Sequence, residues 1–308
     1  MTAPAGMRVA AATPGPGGRP GALAWRGVPP GRPPGEGDAR PPLLVAEDLL
    51  ARGVVAAFTG RRGGTSAPPY AELNLGLRVG DEPRRVLANR RGVLAALGLA
   101  GRPVATLRQV HGAEVVSATL AALGGGPPEA RPPLADADGV VSSQPAGPVL
   151  LVLVADCVPV LLADPAGRVV AALHAGWRGL AAGVVEVGVA ALRAHGGDPA
   201  RTVALVGPCI GPQAYEVGAD VRARVAARYP AAAAVTRRGA PALDLAAAAR
   251  AALEGAGVAE VRSAAECTHD LPERYFSHRR DGDRGRAATG RQGGLIALLG
   301  GDGPKVGP

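Results

Sequence analysis

The chain has 308 residues, 47% of them hydrophobic, enough to bury a substantial core, and its formal charge of +8 is almost wholly arginine, with Lys305 the sole lysine. It carries no basic element interleaved with aromatics, no run of eighteen uncharged apolar residues and no continuous apolar stretch near Met1, which argues against nucleic-acid-binding, membrane-spanning and secreted proteins. Three cysteines make no disulfide framework, so a cytoplasmic location is expected.

Residues 1–41 cluster proline and glycine, as in Pro14-Gly15-Pro16-Gly17-Gly18 and Pro29-Pro30-Gly31-Arg32-Pro33-Pro34. Such runs sustain neither helix nor ladder hydrogen bonds, so a disordered extension is expected there, and a flexible tail at 301–308. Between them, residues 42–300 show no repeat and no linker, and short apolar runs alternate with amphipathic stretches, the texture of a single α/β domain. Asp81-Glu82-Pro83 opens a helix, a capping residue followed by proline in the first turn, that runs to about Leu97 before Gly98. β-Branched apolar segments at 104–107, 114–117, 149–154, 160–163, 168–173, 203–206, 258–262 and 294–299 read as strands. Leu180 to His195 reads as a helix closed by Gly196-Gly197, and Asp244 to Glu254 as another ended by Gly255.

Reactive residues concentrate between Val149 and Gly179. A buried strand ends in Asp156-Cys157, and the next two flank Asp164-Pro165-Ala166-Gly167, a strong turn signal, so they should form a hairpin. Centred near Ala166, that hairpin sets His174 opposite position 158, one strand spacing of roughly 4.8 Å away, and makes it a neighbour of Cys157. His111 closes another predicted strand in Gln109-Val110-His111-Gly112 and is the third candidate ligand, although spacing alone does not bring it to the other two. Three ligands leave the open position of a catalytic zinc site. The alternative is structural, with Cys157 a buried small hydrophobe and His174 a strand cap.

In order along the chain, Thr59 to Ser66, Leu73-Asn74-Leu75-Gly76, Gln109-Val110-His111-Gly112, Asp136-Ala137-Asp138-Gly139, Ala155-Asp156-Cys157, His174-Ala175-Gly176-Trp177-Arg178-Gly179, Gly207 to Pro212, Cys267-Thr268 and Phe276 to Gly282 resemble the YfiH-like, laccase-domain or polyphenol-oxidase-like family. These motifs span about residues 46–298. The resemblance implies a single-domain layered α/β sandwich with mixed sheets, binding zinc, or copper in the alternative, through His111, Cys157 and His174. It implies purine nucleoside phosphorylase activity on adenosine, inosine, guanosine and methylthioadenosine, with adenosine deamination beside it. Two rival readings are a single-copper oxidase and a non-catalytic partner protein. A multicopper oxidase would use more imidazoles than the five in the chain.

Phosphorolysis needs an oxyanion held by forked donors, which makes arginines near the metal the candidates. Arg61, at the family's arginine before Gly-Gly, and Arg178 are the expected catalytic pair, with Asp156 orienting a ligand histidine. Arg279 and Arg280 are candidate substrate contacts. Asn74 is another, or shapes its turn. His278 stands where relatives often carry tyrosine, and Cys209, in Gly207-Pro208-Cys209-Ile210-Gly211-Pro212, competes as a nucleophile but has no base assigned to it.

Overall fold

The computed structural model describes residues 23–26, 41–285 and 288–300. Strands there, in chain order, are β1 (Ala24–Arg26), β2 (Leu43–Val45), β3 (Val54–Thr59), β4 (Val104–Ala105), β5 (Val115–Ser117), β6 (Gly139–Ser142), β7 (Val149–Val154), β8 (Val158–Asp164), β9 (Val169–Ala175), β10 (Val203–Val206), β11 (Ala233–Val235), β12 (Pro241–Leu243), β13 (Glu260–Ser263) and β14 (Gln292–Leu298). Two mixed six-stranded sheets result, ordered β1-β2-β3-β14-β7-β4 and β13-β10-β8-β9-β6-β5, with β11 and β12 paired separately. The helices are α1 (Glu47–Ala51), α2 (Pro83–Ala96), α3 (Trp177–Ala182), α4 (Val184–Ala194), α5 (Ala219–Ala226), α6 (Leu245–Gly255) and α7 (His278–Asp283).

Period-two alternation explains the layers. Along β8, Val158, Val160 and Leu162 join a core with Val185, Val189 and Leu192 of α4 and Ala248, Ala252 and Leu253 of α6. The intervening Leu161 and Ala163 meet Phe58, Leu150 and Ile296 of the other sheet. On that sheet's far face Val55, Leu151 and Leu295 pack with Val93 and Leu94 of α2. The result is four layers, α/β/β/α, in keeping with the expected layered sandwich. His174 has the parity of Val170 and Ala172, which face the layer between the sheets.

Several expectations shift in detail. The β8–β9 hairpin forms with register Pro159↔His174 and Val158↔Ala175, one residue from the expected pairing. Asp164 pairs with Val169, leaving four residues in the turn, and its carboxylate holds the amides of Gly167 and Asp198 at 2.9 and 2.8 Å. The helix expected from Leu180 begins at Trp177 and breaks at Gly183, whose φ of 87° suits glycine and divides the stretch into α3 and α4. α2 opens at the expected Asp81-Glu82-Pro83, with Glu82 as its N-cap, while the Asp81 carboxylate accepts from the Asn74 amide at 2.8 Å and the Glu82 amide at 2.7 Å. Within the stretch expected to be a disordered extension, Ala24–Arg26 forms an edge strand antiparallel to Leu43–Val45. Residues 1–22, 27–40 and 301–308, which carry the rest of that expectation and the tail, lie outside the described residues.

What positions the site is the crossing from β7 to β8. These consecutive strands belong to different sheets, and the chain passes between them in Ala155-Asp156-Cys157, with Asp156 at φ 95°. Close packing of the sheets depends on Gly207 at the end of β10, where a Cβ would fall 2.4 Å from the Phe58 ring. Gly207→Ala should therefore cost about 1–3 kcal/mol through overpacking. The expected readout is a fall of several degrees in the thermal melt with metal binding kept, and an unchanged melt would contradict this packing.

Candidate metal centre and its cleft

Each ligand is delivered by a different device. Cys157 sits at the crossing between sheets, His174 near the end of β9, and His111 in a bend with φ 62°. The bend is held against β7 by Gln109, whose side-chain amide donates to the Leu153 carbonyl at 2.7 Å and whose oxygen accepts the Leu153 amide at 2.8 Å. Gln109 thus pairs like an extra strand residue. One ligand atom from each of His111, Cys157 and His174 lies within 4.8 Å of the others, with 3.9 Å from Cys157 Sγ to His111 Nε2. Sulfur and nitrogen sharing one tetrahedral zinc stand roughly 3.6 Å apart, so these residues fit an ion with little movement. Gly176 makes room for them: a Cβ there would sit 3.0 Å from the His111 ring and 3.1 Å from Cys157 Sγ.

The carboxylate that organises the cluster is Asp138. It is fully buried and accepts from the amides of Val110, His111 and Gly112 at 3.1, 3.0 and 2.7 Å, and from His174 Nδ1 at 2.7 Å. Holding Nδ1 leaves His174 Nε2 for the metal. The signal for it was present in Asp136-Ala137-Asp138-Gly139, but its target became visible only with the β6–β9 pairing, where Gly139 lies opposite Leu173.

Electrostatics in the cluster follow from crowding. Burial alone would push the Cys157 thiol up, but the charge of His174 and the His111 hydrogen bond outweigh it and bring it to about 6. Burial likewise disfavours the His174 imidazolium, yet the Cys157 thiolate and then the Asp138 carboxylate hold it up at about 9. Near neutral pH the metal-free protein therefore carries a thiolate–imidazolium pair. Zinc binding at about pH 7.5 should release about one proton, from His174, and below about pH 6 Cys157 must release another, so that affinity falls as the solution is acidified. Calorimetry in buffers of different ionisation enthalpy measures this, and no proton release at the higher pH would contradict it.

A cleft of about 630 Å³ opens onto the cluster, lined by His111, Cys157 and His174 together with Arg78, Arg291 and His278 among others. No aspartate or glutamate lines it among the described residues. The other expected site residues are placed differently. Asp156 touches neither ligand histidine; its oxygens accept from the Thr268 hydroxyl at 2.6 Å and the Arg279 amide at 2.7 Å, tying α7 to the crossing. Arg61 stacks 4.7 Å from the Phe276 ring centre and donates to the carbonyls of Ala71 at 2.7 Å and Pro272 at 3.0 Å. Arg280 is buried and spends its donors on the carbonyls of Thr268, His269 and Tyr275. Both guanidiniums brace loops. Asn74 is fully buried, bonding Gly76, Asp81 and the Arg291 amide, which is the turn-shaping role. Arg178 is exposed and stacks on Trp177 with 4.4 Å to the ring centre, directly after the His174 strand. Arg279 lies 5.1 Å from the ring centre of Tyr215, a phenol that burial and the Cys157 thiolate push up to about 12 and that the sequence did not single out.

Cys209 faces a separate cavity of about 470 Å³ with Cys267 and Asp244. Burial pushes its thiol strongly up, with Asp244 adding to the effect, the reverse of what a nucleophile requires.

A family model described as multi-copper polyphenol oxidoreductase laccase matches residues 55–299. A Streptomyces coelicolor protein named purine nucleoside phosphorylase is 48% identical over 245 residues, covering 80% of this chain and 98% of its own length. Escherichia coli YfiH, also named purine nucleoside phosphorylase, is 42% identical over 249 residues, with 80% and 97% covered. The crystal structure of YlmD from Geobacillus stearothermophilus matches with a TM-score of 0.75 at 33% identity, covering 86% of this chain and 98% of that one. With agreement of sequence and fold over most of its length, the chain belongs to the YfiH-like, laccase-domain family.

Proposed function

We propose that the protein is a zinc-dependent purine nucleoside phosphorylase that cleaves inosine, adenosine, guanosine and methylthioadenosine, with adenosine deamination as an accompanying activity. The observation that carries this is the pairing of close relatives named for the phosphorylase reaction with a cleft that sets a His, Cys, His cluster beside several arginines. Its volume of about 630 Å³ suits a nucleoside with phosphate, within the roughly 300–1,000 Å³ of small-molecule sites. A zinc ion held by His111, Cys157 and His174 would supply a fixed electrophilic charge beside the substrate. The chain's own part is to bind phosphate, orient the ribose and neutralise the departing base.

For phosphate, the cleft arginines are better placed than Arg61. Arg78 is exposed and lines the cleft, and Arg291 lines it with its backbone fixed by Asn74 and, among the described residues, only its Nη1 spent, on the carbonyls of Thr289 and Gly290 at 3.0 Å. A forked guanidinium contact to phosphate stabilises by about 1.5–3 kcal/mol. Arg291→Ala should raise the KM for phosphate roughly tenfold or more. Arg61→Ala should instead lower the melting temperature, because it removes the hydrogen bonds that hold the part-buried carbonyls of Ala71 and Pro272. Steady-state kinetics with a thermal melt of each variant check this, and the opposite pattern would return the phosphate to Arg61.

The oxidase reading draws on the family model's description, but the chain has five histidines in all. His195 is engaged by Ala191 and Ser117, and His269 by Asp270. His278 stands outside the cluster, so among the described residues one mononuclear candidate site is left, which suits zinc and would also accept a single copper. The test of the proposed function is chromatography of products from inosine and adenosine with and without phosphate. Hypoxanthine or adenine with ribose 1-phosphate, formed only with phosphate, is expected. Free base formed equally well without phosphate would point to hydrolysis, and inosine formed from adenosine measures the deaminase arm.

A further inference from the structure

We propose that His278 is the general acid for the departing purine, an inference that rests on the phosphorylase reading above. When phosphate oxygen bonds to ribose C1′ and the C1′–N9 bond breaks, the bonding electron pair enters the purine. The base then needs a proton, most directly at N7. The cleft narrows the choice of donor. No carboxylic acid lines it among the described residues, and no tyrosine does. Its arginines, Arg78, Arg90, Arg108, Arg131 and Arg291, carry guanidinium groups, which bind anions by hydrogen bonds and do not serve as proton donors in exchange. Gln109 is clamped to Leu153 on both sides of its amide. His111, Cys157 and His174 are the metal cluster. His278 is the remaining side chain of a type that exchanges protons near neutrality.

Its setting suits the task. The imidazole is exposed to the cleft and has no hydrogen-bond partner among the described residues, so it is free to meet a ligand. Its backbone is fixed, because the Ser277 hydroxyl accepts the Arg280 amide at 3.2 Å and the Arg279 amide is bound by Asp156 at 2.7 Å. Asp156 immediately precedes the ligand Cys157, so the crossing that sets the metal cluster also sets the stretch carrying His278. In the proposed step the imidazolium gives its proton to N7 as C1′–N9 breaks, yielding neutral purine. The proton that phosphate loses as ribose 1-phosphate becomes a dianion returns through solvent to the imidazole, so no further reactant is consumed.

The test uses the zinc-loaded enzyme and its His278→Gln variant on inosine and on 7-methylinosine, whose base leaves as a neutral molecule without protonation. General acid catalysis is worth roughly 10²–10⁴-fold, so turnover of inosine should fall about a hundredfold or more in the variant. Turnover of 7-methylinosine should change by less than about threefold, since that proton is not needed. Zinc content and melting temperature should match the parent enzyme. Equal losses on both substrates, or no loss on inosine, would overturn the role. A parent enzyme that releases base without phosphate, yet shows the same selective loss in the variant, would keep His278 and remove phosphorolysis. A parent enzyme inert toward both nucleosides would overturn both.

Discussion

Cys157→Ala is expected to lose bound zinc and nucleoside turnover together, while Cys209→Ala keeps the metal and most of its activity. The two cysteines differ in what surrounds them. Cys157 is brought by the crossing between sheets to within reach of two imidazoles, which stabilise its thiolate despite burial. Removing it leaves two nitrogens for the ion, and the loss of affinity should exceed the 10–100-fold typical of deleting a mere supporting partner. Cys209 is 6% exposed, faces the other cavity, and has a thiol that burial and the nearby Asp244 keep protonated. Its removal trims a small core side chain, with a cost in stability and little in chemistry. Metal analysis by mass spectrometry beside turnover separates the two variants. A Cys209→Ala protein that is inactive with full zinc would move the chemistry to the second cavity. An active, metal-free Cys157→Ala protein would take the metal out of the reaction.

The second large effect is expected at Asp138, which receives four donors at once. Asp138→Ala removes the group that fixes the His174 ring and the group that shapes the His111 bend. Metal affinity should fall by about 10–100-fold. Stability should fall as well, since three part-buried backbone amides lose their acceptor, each such hydrogen bond contributing about 0.5–1.5 kcal/mol. Asp138→Asn separates the contributions: its amide oxygen still accepts from the bend, but a neutral partner supports the His174 ring less well. It should fold nearer to the parent and still bind zinc more weakly. Asp156→Asn is the control, because Asp156 bonds Thr268 and Arg279 and neither ligand histidine. A larger loss of zinc affinity at Asp156 than at Asp138 would reverse this ranking of the two carboxylates.

The metal residues were legible in the sequence because each closes an apolar run beside turn-forming neighbours. The β8–β9 hairpin could be drawn to within one residue for the same reason. His111 was legible as a candidate ligand at a strand end, but not its convergence with the other two; the pairing of Gln109 with Leu153, 44 positions along, is what brings it in. Supporting contacts of this kind are set by strand register and loop packing, which local composition does not encode. Asp138 meets His174 across 36 positions, and Arg61 meets Pro272 across 211. An arginine so placed reads in the sequence like any solvated one. The alanine-rich β3, Val54–Thr59, is buried along its whole length, but two of its six residues are small and non-branched and gave little strand signal. The break in the helix after β9 escaped because Gly183 sits inside an otherwise apolar, helix-compatible stretch.

A titration of metal-free protein with zinc, following phosphate-dependent release of hypoxanthine from inosine, addresses the central claim most directly. Activity is expected to rise in proportion to added zinc and to level off at about one equivalent, the capacity of a single His, Cys, His site. Full phosphate-dependent activity in the metal-free protein would contradict it, as would activity that appears only with several equivalents of copper and consumes dioxygen.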